Sequence, residues 1–248
     1  MTVYVRKVEP PTDFSVSPFT LLTGFYLRGE EIVQYNTFNE IGELVDQDII
    51  VDYVFQMQHI FNLMNIKVRP IDYPNQLQTF YGRKIESGTI SQIFESKTNW
   101  NVFIKPKADT KLFEGRVVRT RKDLIGLNVT YDYPIWISEP VHFVREWRCF
   151  ILNHHVLDVR PYKGDYHVQY DPTIIDAAVA AWKEAPNTCS IDIGVTADNR
   201  TLVVEANDGF SLGTYGLNPY QAAVFHETRW REITHAYFQD HQTVKVHE

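Results

Sequence analysis

The most constraining feature of this sequence is a pair of apolar segments, residues 191–195 and 201–206, separated by a short polar turn at residues 197–200. Two such segments around an Asp-Asn turn predict an antiparallel β-hairpin. Because the turn is centred between residues 198 and 199, Asp192 is expected directly opposite Glu205, with Cβ atoms about 4.5–5.5 Å apart. Two carboxylates so placed repel each other unless a positive charge lies between them or one is protonated.

This predicted hairpin offers a set of oxygen ligands. Asn207 lies two residues beyond Glu205 and therefore projects from the same face of the sheet. Carboxylate and amide oxygens suit Mg²⁺, which also shares its coordination with phosphate oxygens. Two alternatives stay open. Asp192 and Glu205 could flank a solvated strand face, each paired with a Lys or Arg, and a register slip of one residue would put Val204 opposite Asp192.

Cationic side chains precede the hairpin in the chain. Lys105 ends an apolar strand and Lys111 lies in the loop that follows, so both could reach a phosphate although no P-loop motif is present. Arg148 lies in the middle of a predicted strand, and Arg160 lies on the strand facing it. Such arginines suit an anionic ligand. Solvated lysines and structural salt bridges are the alternatives.

A competing motif is the GxSxG pattern at residues 209–213, which follows a strand as a serine nucleophile does in α/β-hydrolases. That fold requires a helix directly after the serine, here Ser211, whereas Pro219 marks the next helix several residues later. The remaining triad members would have to be Asp240 with His235 or His241, close to the end of the chain. The hydrolase is therefore the less favoured alternative. The histidines lack a zinc-ligand spacing, and no GxGxxG is present.

Composition restricts the class of protein. At 248 residues, the chain is expected to form about one or two domains. Its 24 Lys and Arg against 31 Asp and Glu leave a net charge of −7, which disfavours a broad nucleic-acid-binding face. Two distant cysteines predict no disulfide framework, no signal peptide is recognised, and the longest uncharged stretch, residues 14–27, is too short to span a bilayer. We therefore expect a cytoplasmic protein without a membrane segment; its oligomeric state is not readable.

The pattern of segments predicts an α+β fold with a small N-terminal lobe and a hairpin-rich C-terminal part. Strands are expected at residues 19–22 and 31–35, a strand–helix–strand unit at 49–68, and an interrupted helix at 76–96. Hairpins are expected at residues 145–162 and 190–206, with a helix at 172–185 between them. Asn218 as N-cap and Pro219 at the first helical position begin the last helix.

Taken in order, several segments resemble the ATP-grasp superfamily. They are Phe103-Ile104-Lys105-Pro106, Lys111-Leu112-Phe113-Glu114-Gly115, Ile137-Ser138-Glu139-Pro140-Val141, Glu146-Trp147-Arg148, Asp192-Ile193-Gly194-Val195-Thr196 and Val204-Glu205-Ala206-Asn207-Asp208-Gly209. The chain is most similar to a clade of small phage and bacterial members marked by one arginine and two lysines. We place these at Arg148, Lys105 and Lys111, with Arg83 and Lys163 as rivals.

The resemblance implies an ATP-grasp fold, in which two α+β lobes of a catalytic region at residues 99–248 enclose ATP after a short α/β lobe at 1–98. The implied contacts are Lys105, Lys111 and Arg160 with ATP phosphates, with the Lys111 loop as a lid, the strand from Ile137 to Val141 with adenine, Glu139 with ribose, Asp192, Glu205 and Asn207 with Mg²⁺, and Arg148 with the γ-phosphate or an acyl phosphate.

The implied reaction is ATP-dependent joining of a carboxylate to an amine, with release of ADP and phosphate. The carboxylate and amine substrates stay unidentified. The glycines of the segment 209–213 then belong to a substrate-side loop, and a kinase-like phosphotransferase is the main alternative.

Overall fold

A computed structural model describes residues 1–7, 16–107, 112–127 and 130–248. The described residues form helices and strands in alternation. The helices are α1 (Val16–Leu27), α2 (Val54–Leu63), α3 (Ile90–Glu95), α4 (Pro172–Ala181) and α5 (Pro219–Asp240). The strands are β1 (Thr2–Arg6), β2 (Glu31–Tyr35), β3 (Glu43–Val45), β4 (Ile49–Val51), β5 (Ile85–Thr89), β6 (Val102–Pro106), β7 (Arg116–Val118), β8 (Pro134–Ser138), β9 (Phe143–Leu152), β10 (His155–Gly164), β11 (Thr188–Thr196), β12 (Thr201–Asp208) and β13 (Thr243–Lys245).

The N-terminal lobe is built on a parallel sheet in the order β2-β1-β4. Val3 and Val5 alternate into its core, where the C-terminal helix also packs, because Trp230 of α5 stacks on Phe61 at a ring distance of 6.0 Å. Strand β13 pairs with β3. The two ends of the chain therefore share one hydrophobic core.

The segment at residues 19–22, expected to be a strand, lies inside helix α1, so that prediction was wrong. The helix packs against α5, and Gly24 permits the contact, because a Cβ there would lie 2.0 Å from the Pro219 carbonyl oxygen. A packing partner from the far end of the chain thus overrides the local preference of Phe and Thr for strands.

Two antiparallel sheets follow, in the orders β5-β8-β6-β7 and β10-β9-β11-β12. The predicted break in the segment 76–96 is present, but β5 occupies part of it, so the helical assignment was wrong there. Residues 66–68 form no regular strand. The lobe boundary at residues 98/99 stays a prediction, and β5, which precedes it, shares a sheet with the strands that follow it.

Both predicted hairpins are confirmed as β9–β10 and β11–β12. Asn218 caps α5, because its Oδ1 accepts a hydrogen bond from the Tyr220 backbone N–H at 3.0 Å. Cys149 and Cys189 are both free and buried. Among the described residues, no helix has the length and hydropathy needed to cross a membrane.

Candidate functional site

Hairpin β11–β12 places Asp192 directly opposite Glu205, as the sequence predicts. The register is interrupted immediately afterwards, because Ile193 pairs with Val203 and leaves Val204 as the extra residue of a β-bulge. Had the spacing from the turn continued without this bulge, Val204 would stand opposite Asp192. The bulge therefore brings the two carboxylates together.

Arg83 holds this bulge from outside the hairpin. Its guanidinium donates to the carbonyl oxygens of Val203 at 3.0 Å and Val204 at 2.6 Å, and also to that of Tyr81 at 3.0 Å. Arg83, a rival for the clade-marking arginine, is thus occupied by backbone acceptors of the strand that carries Glu205.

Asp192 forms a closed ion pair with Arg148 on the neighbouring strand β9. The Arg148 Nε and Nη2 donate to the two Asp192 carboxylate oxygens at 2.8 and 2.7 Å. The residues are only 2% and 8% exposed, and the ring of Tyr215 covers the guanidinium at 4.8 Å. Burial alone would lower the pKa of Arg148, but the hydrogen bonds and charge of Asp192 outweigh it and raise that pKa.

Glu205 belongs to a second, more open group of charges. Its Oε2 lies 2.8 Å from Lys105 Nζ, which also lies 2.6 Å from Asp72 Oδ1. Burial by itself would lower the pKa of Lys105, whereas the negative charges of Glu205 and Asp72 outweigh this effect and raise it. Lys105 is therefore a charged ammonium shared by two carboxylates.

Asp72 is a site residue that the sequence analysis missed, because Asp72-Tyr73-Pro74-Asn75 has the composition of an ordinary turn. Its contacts come from three distant parts of the chain. No local pattern marks it, and its only sequence signal is a carboxylate beside a proline turn.

Asn207 completes the predicted set on β12. It is half-buried, and its amide Nδ2 donates to Ser190 Oγ at 3.4 Å, across the hairpin. Arg148, Glu205 and Asn207 all line a cavity of about 780 Å³. The opposite wall of this cavity belongs to the N-terminal lobe, with Ser17 of α1 and Tyr53 at the start of α2.

Metal-binding capacity at this site depends on mixed ligands. The described part of the chain contains no group of three His, Cys, Asp or Glu side chains positioned to bind a metal ion. An ion here would therefore need the amide oxygen of Asn207 beside the carboxylates, together with phosphate oxygens. Such a hard, all-oxygen set fits Mg²⁺.

The other predicted site residues are more scattered. Arg160 lies opposite Arg148 in the sheet but pairs with Asp158 at 2.6 Å, and Lys163 pairs with Glu146 at 2.9 Å. Glu139 is exposed, and its carboxylate accepts a hydrogen bond from the Lys84 backbone N–H at 2.9 Å. Two further predicted contacts, Ile137 and Val141, lie in β8 and just after it, and Lys111 lies outside the described residues.

The GxSxG segment shows no catalytic triad. Ser211 Oγ donates to the Asp52 backbone carbonyl at 2.6 Å, and the next helix begins only at Pro219. The predicted partners lie elsewhere, because His235 contacts Gln239 and His241 contacts the Tyr237 carbonyl. Ser211 joins the segment to the N-terminal lobe and has no histidine base among these candidates.

Solved structures share this architecture. The chain is similar to D-alanine–D-alanine ligase from Bacillus anthracis, with a TM-score of 0.54 and 14% identity over 96% of this chain and 98% of that one. The same enzyme complexed with ATP gives 0.55 and 13%, over 97% and 98%. D-cycloserine synthetase DcsG gives 0.55 and 10%, over 94% and 100%. At these identities the likeness establishes the fold alone, which is the ATP-grasp fold.

Sequence comparison identifies the family. Residues 80–224, more than half of the chain, match a family described as an ATP-grasp domain, the second family of its clade. The chain therefore belongs to this ATP-grasp family, as its motifs predicted. A search of curated proteins found no match.

Proposed function

We propose that this protein is an Mg²⁺- and ATP-dependent ligase that joins a carboxylate to an amine through an acyl phosphate. We base this proposal on one observation: Glu205, Asn207 and Arg148 line the same cavity, which extends to the N-terminal lobe. A cavity of this size is sufficient for a small substrate or the end of a peptide beside the reacting phosphate.

We assign the nucleotide contacts as the resemblance implies them. Lys105 and Lys111 bind the ATP phosphates, and Arg160 stands near them. The strand from Ile137 to Val141 faces adenine, and Glu139 faces ribose. Lys105 supports this assignment most directly, because it is a charged ammonium next to the candidate metal ligand Glu205.

Glu205 and Asn207 would bind Mg²⁺ from the cavity side. Asp192 is the third ligand, through the lone pairs that Arg148 leaves free, since a carboxylate has about four such sites. The ion, when bound, would neutralise charge on the transferring phosphoryl group.

The reaction needs no nucleophilic side chain. An oxygen of the substrate carboxylate attacks the γ-phosphorus, and the bond to the ADP oxygen breaks. The amine nitrogen then attacks the acyl carbon, inorganic phosphate leaves, and the amine loses a proton. Arg148, still held by Asp192, faces the phosphoryl group and stabilises its negative charge during both steps.

The free, buried cysteines are typical of a reducing compartment, so we also propose a cytoplasmic location and, from the resemblance, a phage or bacterial origin.

The first test compares melting temperatures of the parent protein and Glu205→Gln, with ATP and with or without Mg²⁺. ATP at about 100 times its dissociation constant should stabilise the parent by about 2.7 kcal/mol. For a chain of this size the melting temperature should rise by about 5–11 °C. Glu205→Gln should abolish the Mg²⁺-dependent part while remaining folded. No rise for the parent at millimolar ATP would contradict the proposal.

Product analysis then separates a ligase from a phosphotransferase. Pools of acids and amines are screened for ADP release with hydroxylamine present. A hydroxamate product indicates an acyl phosphate and supports the ligase. A phosphorylated acceptor that is stable to hydroxylamine would assign the protein to the phosphotransferases instead.

A further inference from the structure

Asp72 lies outside the segment that matches the family, yet it contacts both halves of the candidate site. Its Oδ1 lies 2.6 Å from Lys105 Nζ of β6, and its Oδ2 accepts a hydrogen bond from Trp136 Nε1 of β8 at 2.9 Å. Both carboxylate oxygens are therefore directed at the sheet that carries the phosphate-binding lysine.

The backbone of Asp72 contacts the other sheet. Its carbonyl oxygen accepts a hydrogen bond from the Ala206 N–H at 2.8 Å, as an isolated antiparallel bridge on β12. Ala206 lies between Glu205 and Asn207, the two candidate metal ligands on the cavity side. Asp72 adopts a left-handed conformation, with φ of 45°, which Asp tolerates better than most residues. One residue thus joins the lysine strand to the metal-ligand strand.

The two carboxylates that share Lys105 differ in a second respect. Glu205 lines the cavity on the strand with Asn207, whereas the carboxylate of Asp72 is bound on its other side by Trp136. If Glu205 binds a cation, Lys105 loses one of its two partners. Asp72 then remains to hold the ammonium at its position.

We propose that Asp72 is a positioning residue for the nucleotide site: its carboxylate holds Lys105 for the phosphates while its backbone holds the Glu205–Asn207 strand. This inference rests on the proposed function, because it assigns Lys105 to ATP. It adds the N-terminal segment before the matched family region as a source of site residues.

The test measures ATP affinity by calorimetry in Mg²⁺ and, separately, in EDTA, for the parent, Asp72→Asn and Asp72→Gly. Asparagine keeps the shape and the acceptor for Trp136, and glycine keeps the left-handed backbone without a side chain. Both variants remove the charged partner of Lys105. We expect each to weaken ATP binding about tenfold under both conditions, since a hydrogen bond to a charged group contributes about 1.5–3 kcal/mol.

A purely electrostatic role gives the opposite sign. Removing a negative charge near the phosphates would tighten ATP binding in EDTA, because like charges repel. Unchanged or tighter binding in the two variants would therefore overturn the positioning role while leaving the proposed function standing. If the parent itself failed to bind ATP, both would fall together.

Glu232→Gln is the matched control. Glu232 resembles Asp72 in having one cationic partner, Arg229, at 2.7 Å and a backbone N–H donor, that of Asn187, at 3.1 Å, but it lies on α5 and does not line the cavity. It should lose stability as the Asp72 variants do and keep the parent's affinity for ATP. Equal weakening of ATP binding in Glu232→Gln would mean that the Asp72 effect is only structural.

Discussion

The two ion pairs of the candidate site are carried by neighbouring strands, yet one is closed and the other open. Arg148 and Asp192 have side chains that are 10% and 3% exposed and hold each other through two parallel hydrogen bonds. Lys105 is 17% exposed, Glu205 is 27% exposed, and Lys105 divides its charge between Glu205 and Asp72. A closed pair fixes the geometry of the site, whereas an open pair with two acids can exchange a partner for a ligand.

The largest effect should follow from breaking the closed pair. Asp192→Ala leaves the Arg148 guanidinium buried without its counter-charge, which should cost about 3–5 kcal/mol of unfolding free energy. Urea denaturation measures the loss. The control is the double variant Arg148→Met/Asp192→Leu, which replaces both charges by apolar side chains and should recover most of the stability. A loss below about 1 kcal/mol in Asp192→Ala would show that the pair is not closed in solution.

A buried ionisable group without a counter-charge sharpens the comparison. Burial lowers the pKa of His226 to about 4, and its hydrogen bond to the Leu212 backbone offsets this only in part. Below its ordinary pKa of 6.5 the unfolded chain binds a proton that folded His226 does not, so stability falls as pH decreases from about 6.5 to about 4. We expect a loss of about 2 kcal/mol between about pH 6.5 and about pH 5 from this residue.

Urea denaturation at the two pH values tests this expectation, with His226→Gln as the control. Glutamine does not titrate, so the variant should be less stable at the higher pH but show a smaller loss on acidification. The same pH dependence in the variant and the parent would assign the effect to other groups.

The smallest effect on stability is expected at the open group. Lys105→Gln leaves Asp72 and Glu205 facing each other, but water reaches both, so the loss should be at most about 1 kcal/mol. The remaining repulsion should weaken further in about 1 M salt, where the Debye length is about 3 Å. ATP-dependent stabilisation of the variant should nevertheless disappear. A loss of stability as large as that of Asp192→Ala would remove the distinction between the two pairs.

The carboxylate pairing shows how far sequence reasoning reached and where it failed. Asp192 does lie opposite Glu205, but the assumption of an unbroken register was wrong. Near the turn the pairs are Val195 with Thr201 and Gly194 with Leu202, which is one residue out of step with the pairing at Asp192. The bulge corrects this, and Arg83, which holds it, comes from another part of the chain. A local pattern carries no information about such a contact.

The sequence by itself determined the hairpins, the N-cap of the last helix and the family, because alternating apolar residues, turn residues and ordered motifs are local properties. It also named most of the charged residues of the site. Only the tertiary structure decided which charges meet: Asp72 with Lys105, Arg148 with Asp192, and α5 with the N-terminal core. The physical reason is that the strength and exchangeability of an ion pair depend on burial and on partners that lie far apart in the chain.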